Sequence, residues 1–139
     1  MAISTRTDQV TAPDGDRFAV HLFVPDEGGP GIVLLQEIWG VSEFLKAKAT
    51  LLAGLGYAVS CPDVFWRVER NVSLAHDDEG LARGFELNTR FAEIPAEVTA
   101  GDLLAALAHL RAAPEVTGRA GVLGYCLGGR LAYEVAVAG

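Results

Sequence analysis

A chain of 139 residues that is 50% hydrophobic and 21% charged has the length and composition of one compact domain, long enough to bury an apolar core without disulfides or metals. Its net charge of −7, uninterrupted by any Lys/Arg cluster, disfavours nucleic acid and anionic lipid as partners; an anionic small molecule stays open, because one or two local arginines overcome a screened global field. The two cysteines, Cys61 and Cys126, stand in no Cys/His spacing that binds zinc, so no metal site is expected. The N-terminal MAISTRTDQVTAPDGDRF has no apolar signal-peptide core and no stretch is long and apolar enough to span a bilayer, which makes a cytoplasmic address the default expectation and a membrane role an unexpected one.

In chain order, Arg17 to Val24 is rich in β-branched and aromatic residues after a Pro-Asp-Gly turn signal and reads as an early strand. Asp26 to Gly31 reads as a turn. The run GIVLLQE, ending at Gln36-Glu37, has the continuous apolar character of a strand covered on both faces of a parallel sheet. Ser42 is a candidate N-cap with Glu43 behind it; Phe44, Leu45, Leu51, Leu52 and Leu55 predict an amphipathic helix that Gly54 and Gly56 end. YAVSCPD predicts a further buried strand that Pro62 stops and that carries Cys61 and Asp63 at its end. Val64 to Pro95 is the least periodic part, a mobile excursion with helical pieces around Leu81 to Phe91. From Glu97 a clear helical spacing runs to Pro114, AGVLGYC predicts a fourth buried strand, and LGGRLAYEVAVAG a last helix.

Strands alternating with helices predict a single α/β domain over residues 1–139, a doubly wound, mostly parallel sheet with right-handed crossovers. The last helix stops at Gly139 after an apolar run that still needs a sheet to pack on, so the chain is expected to be truncated after that helix.

The chemically informative segment is VLGYCLGGR: a strand, then Gly124, Tyr125, Cys126, Leu127, Gly128, then a helix. This G-x-C-x-G spacing is that of a nucleophile elbow, whose tight strand-to-helix turn leaves no room for side chains two positions to either side of the nucleophile. The turn puts Cys126 at a helix N-terminus, where unpaired N–H groups and the helix dipole favour a thiolate. The N–H of Leu127 is the expected first donor to an oxyanion, and the loop after the earlier strand, near Ile38, the expected second.

GYCLGG, taken with LQEIWGV and CPDVFWR in the same order along the chain, resembles the dienelactone hydrolase family of α/β-hydrolases. The resemblance implies that Cys126 is the nucleophile of a Cys-His-Asp triad that opens an enol-lactone ring to give maleylacetate, with a small lactone or ester as substrate and no cofactor. It implies further that Glu37 contacts the resting thiol and gates its ionisation. In the family a substrate carboxylate is held by two arginines, one of them in the excursion after CPD; Arg83 lies nearest that place, with Arg67 as the competitor. Trp39 is a candidate for lining an apolar pocket at the strand ends, as is Trp66.

In this fold the acid and the histidine follow the nucleophile, yet the thirteen residues after Cys126 contain neither Asp nor His. His21, His76 and His109 precede it and read as a strand residue, a loop residue and a helix-surface residue. The chain by itself is therefore expected to be nearly inert. Two other readings stand beside the hydrolase: a class I glutamine amidotransferase, which shares the cysteine elbow but lacks a QEIWG segment, and a non-enzymatic fragment with an oxidisable thiol.

Overall fold

The computed structural model describes residues 2–139. Five strands form one sheet: β1 (Ile3–Thr11), β2 (Arg17–Pro25), β3 (Gly29–Leu35), β4 (Ala58–Pro62) and β5 (Val116–Gly124). Four helices accompany them: α1 (Glu43–Gly54), α2 (Asp78–Phe91), α3 (Ala96–Ala112) and α4 (Leu127–Ala138). The strand order is β1-β2-β4-β3-β5. β4, β3 and β5 run parallel, while β1 and β2 add an antiparallel hairpin that joins the sheet through β2 and β4. The α/β architecture is the one expected, in a mixed version: its parallel half is doubly wound, and the antiparallel half extends it.

β1 was not among the expected strands. Its side chains are mostly exposed, so it lacks the apolar alternation by which a strand is recognised, and it is held by its register with β2, from Ile3 opposite Pro25 to Thr11 opposite Arg17. Gly15, at φ +91°, makes the turn between them, a conformation that a Cβ disfavours. β3 starts at Gly29, inside the expected turn, because a side chain there would run into the Gly56 carbonyl.

The sheet alternates its side chains between two cores. Leu34 faces α1 together with Phe23, Val59 and Cys61, while Val33 and Leu35 face α3 and α4 together with Leu103, Leu107, Leu110 and Leu131. Each fully buried leucine contributes about 2 kcal/mol of apolar burial. α1 docks through Leu45, Ala49 and Ala53, whose small side chains bring the helix close to the sheet. Phe44, Leu51 and Leu55, expected on its inner face, are 45%, 59% and 68% exposed: apolar residues alone do not say which of two adjacent stripes turns inward. Ser42 caps α1 as expected, accepting a hydrogen bond from the Leu45 N–H at 3.3 Å.

The excursion is more ordered than its sequence suggests, with the fourteen-residue α2 capped by Asp77, whose carboxylate accepts from the Gly80 N–H at 2.7 Å. β5 differs in the other direction. It pairs only with β3 among the described residues and its side chains are half-buried or exposed, so it is an edge strand here rather than the buried strand expected. No helix among the described residues is long and apolar enough to cross a membrane.

From β3 the chain crosses through α1 to β4 on one side, then through α3 to β5 on the other, with the two helices on opposite faces. The winding thus reverses between β3 and β5. At such a switch point the loops leave the carboxyl ends of neighbouring strands in opposite directions and open a crevice. Gln36-Glu37 follow β3 at that place and Tyr125-Cys126 follow β5.

Candidate active site

Cys126 sits one residue past the end of the Gly124-Tyr125 step, with φ 53° and ψ −117°. For a residue with a side chain this conformation costs about 1–3 kcal/mol and persists only when its surroundings enforce it. They do so through the glycines. A Cβ on Gly124 would lie 2.1 Å from the Gly128 carbonyl oxygen, and one on Gly128 would lie 2.4 Å and 2.7 Å from the carbonyl oxygens of Leu35 and Gln36. Helix α4 can therefore start directly against the end of β3 only with glycine at both positions. The Gly128 N–H donates to the Tyr125 carbonyl at 2.9 Å, and the Arg130 N–H to that of Cys126 at 3.1 Å, closing the turn.

The Cys126 side chain is exposed, and α4 has no side-chain cap. Neither the Leu127 N–H nor the Ile38 N–H donates a hydrogen bond to the described residues. Two backbone donors, one after each strand end, are thus unpaired among the described residues.

The loop that carries Ile38 is clamped from several sides. The wholly buried Gln36 accepts the Val64 N–H at 3.0 Å and donates through Nε2 to the Glu37 carbonyl at 3.1 Å, tying the ends of β3 and β4 together. The Leu74 N–H donates to the Trp39 carbonyl at 2.9 Å and the Val41 N–H to the Val72 carbonyl at 3.0 Å. Gly40, at φ +75°, lies so close to that carbonyl that a Cβ would meet it at 2.1 Å. From the opposite side Gly84 of α2 packs on Ile38, where a Cβ would lie 2.9 Å from the Ile38 carbonyl oxygen.

Asp63 holds the partner segment. Its Oδ2 accepts the Asn71 N–H at 2.8 Å, while its buried Oδ1 has no partner. Burial pushes the Asp63 carboxyl above its ordinary range, against the opposing pull of the Asn71 N–H and of Arg70. Gln36, Asp63 and Gly84 were not singled out from the sequence. The available signal was a polar residue immediately after an apolar strand, where water-facing residues are otherwise free to vary.

The other expected site residues differ in what holds them. Glu37 is half-buried, and its carboxylate has no hydrogen bond or ion pair, to Cys126 or to any other described side chain. Trp39 is half-buried and stacks on His76, ring centroids 4.2 Å apart. Arg83 lies on α2, paired with Glu69 and, at 2.8 Å, with Glu86; the Glu86 carboxylate above all pushes its pKa further up. Arg67 binds Asp102 through two nitrogens, at 2.8 and 2.9 Å, and Asp14 at 2.7 Å, and lies over the Trp66 ring. That guanidinium joins β4, α3 and the first hairpin and is not available to a substrate. Trp66 is buried and stacked on Phe18, so it lines the core and not a pocket.

Of the histidines, His21 is on β2 beside Thr7, and burial, with Lys46 nearby, holds its imidazole below the usual range. His109 pairs with Asp8 at 3.1 Å on α3. Neither hydrogen bonds to Cys126.

The profile of the dienelactone hydrolase family matches residues 18–139. The chain belongs to that family. Its membership sets aside the amidotransferase reading. Among the similar proteins are the carboxymethylenebutenolidase of Pseudomonas sp. (strain P51), 38% identical over 131 residues that cover 94% of this chain and 54% of the relative, and carboxymethylenebutenolidase 1 of Cupriavidus pinatubonensis, 35% identical over 129 residues, 92% of this chain and 54% of the relative. The chain spans about half the length of these curated relatives. Among solved structures, m3DLH is 31% identical with a TM-score of 0.71, covering 99% of this chain and 55% of its own. A putative dienelactone hydrolase from Klebsiella pneumoniae superposes with a TM-score of 0.80 over 100% of this chain and 56% of that one; at 22% identity it supports the fold alone.

Proposed function

We propose that this member of the dienelactone hydrolase family carries the nucleophilic half of a cysteine hydrolase that opens an enol-lactone or cleaves a small carboxylic ester. The observation that carries the reading is the backbone of Cys126: an exposed thiol at positive φ, enforced by two glycine contacts beside unpartnered N–H groups. In the proposed reaction the Cys126 thiolate attacks the carbonyl carbon. Its oxygen takes the negative charge beside the Leu127 and Ile38 N–H groups, and the tetrahedral intermediate expels the alkoxide or enolate, which takes a proton. Water then attacks the thioester, releasing the carboxylic acid and restoring the thiol. All of these groups come from the protein and no cofactor enters.

Glu37 is proposed to tune the thiol. A carboxylate swinging towards Cys126 disfavours the idle thiolate, and one held away releases it. Its lack of any other partner leaves it free to do either. Arg83 is proposed to hold a substrate carboxylate only if it exchanges Glu69 or Glu86 for it. Trp39 is proposed to line the crevice.

The test is a stopped-flow assay of the 139-residue chain with p-nitrophenyl acetate. A burst of one equivalent of p-nitrophenol is expected per Cys126, as the thiol is acylated ahead of steady turnover. Mass spectrometry should find the acetyl group on Cys126. Release that survives Cys126→Ala would overturn the assignment of the nucleophile, and modification by peroxide without any acyl transfer would favour the redox reading instead.

A further inference from the structure

The segment from Ser73 to His76 separates two clefts. One, of about 380 Å³, contains Arg83 with Asp77 and Glu79. The other, of about 540 Å³, is walled by Glu43 and Phe44 from the first turn of α1 and by Ser73, Leu74, Ala75 and His76. Its size falls within the range of pockets that hold small organic molecules. The His76 ring meets Phe44 at 5.2 Å, so two rings from separate segments line this cleft, and Trp39 backs the His76 ring at 4.2 Å. Phe44 stays 45% exposed there, on a helix whose inward face is made by smaller residues.

We propose that this second cleft binds the uncharged, planar ring portion of a small molecule. In the hydrolase reading above, on which this clause rests, it receives the ring-bearing alcohol side of an uncharged ester. Exposed ring faces and edges recognise another planar ring by stacking or edge-to-face contact. Trp39, next in sequence to Ile38, links the cleft to the proposed oxyanion donor. Charge selects the ligand: Glu43 is the acidic residue in the lining of the cleft. The nearby cations are already committed, Lys46 to Glu43 at 3.7 Å, Lys48 to the Phe44 ring at 5.4 Å, and Arg83 to Glu69 and Glu86. A carboxylate on the ring would be repelled and would find no free partner.

Benzamide and benzoate, which match in shape and differ in charge, test this on the full chain. Titration followed by tryptophan fluorescence, with saturation-transfer NMR as a second readout, is expected to give saturable benzamide binding in the parent chain and equally in Cys126→Ala. The fluorescence change should vanish in Trp39→Phe. Benzoate should bind at least about tenfold more weakly. Phe44→Leu and His76→Ala should each weaken benzamide at least about threefold at an unchanged melting temperature. Absence of saturable binding in both readouts, benzoate binding as tight as benzamide, or binding that neither variant changes would each overturn the proposal. Because benzamide binding is read in Cys126→Ala and acyl transfer in the parent chain, failure of the cleft and failure of the hydrolase reading are separate results.

Discussion

Two parallel strands of this sheet end beside a cysteine, and the two ends have opposite characters. At the end of β4 the chain turns into a dense polar and aromatic junction: Cys61 is wholly buried, Asp63 ties down Asn71, and Arg67 joins Asp102 and Asp14. Burial pushes the Cys61 thiol up to about 12, so that cysteine is an inert core residue. At the end of β5 the thiol is exposed, the backbone is strained, and the adjacent N–H groups are unpaired. Strand, cysteine and following loop are common to both. What separates them is whether the strand end spends its polar groups on the fold or leaves them unpaired.

The largest effect is expected at the β5 end, where α4 starts against β3. Gly128→Ala forces a Cβ onto the Leu35 and Gln36 carbonyls and should cost about 3 kcal/mol in urea denaturation, with loss of the elbow. Retention of full stability would mean that α4 does not start against β3. Next, iodoacetamide at pH 8 should alkylate Cys126 at least about a hundredfold faster than Cys61 in the native chain, read by peptide mapping; comparable rates would erase the contrast between the strand ends. Asp102→Ala removes the bidentate partner of a mostly buried guanidinium and should destabilise by about 2 kcal/mol without changing the labelling rate of Cys126. A changed labelling rate would show that the β4 junction is coupled to the elbow.

The smallest effect concerns Asp63. Its carboxyl is raised by burial, so the folded state holds that proton more tightly than the unfolded chain does. The contribution to stability is present below the ordinary aspartate range near pH 4 and is lost as pH rises through the raised value. Asp63→Asn should flatten this decline in a pH series of melting temperatures. An unchanged slope would assign the decline to another group.

Much of the fold was legible in the sequence because burial on both faces writes a continuous apolar run, as in GIVLL and YAVSC, and because Ser42, Pro62 and Gly56 mark boundaries with side-chain chemistry of their own. β1 was not legible, since an exposed hairpin strand carries no apolar alternation and is held by register. The inward stripe of α1 was misread for a related reason: Ala49 and Ala53 are chosen for close approach, which a count of large apolar residues does not see. At the site, G-x-C-x-G announced the elbow because its geometry forbids side chains at two fixed positions. Gln36, Asp63 and Gly84 carried no such mark, because each acts on a segment distant in sequence.

The sequence by itself thus determined the elements whose cause is local: the parallel strands, the Ser42 cap and the turn at Cys126. Only the tertiary structure decided that Arg67 is consumed by Asp102 and Asp14, that Trp39 leans on His76, and that the loop of Ile38 is held from β4 and α2. Those pairings join segments far apart in sequence, which folding brings together and no short-range pattern relates.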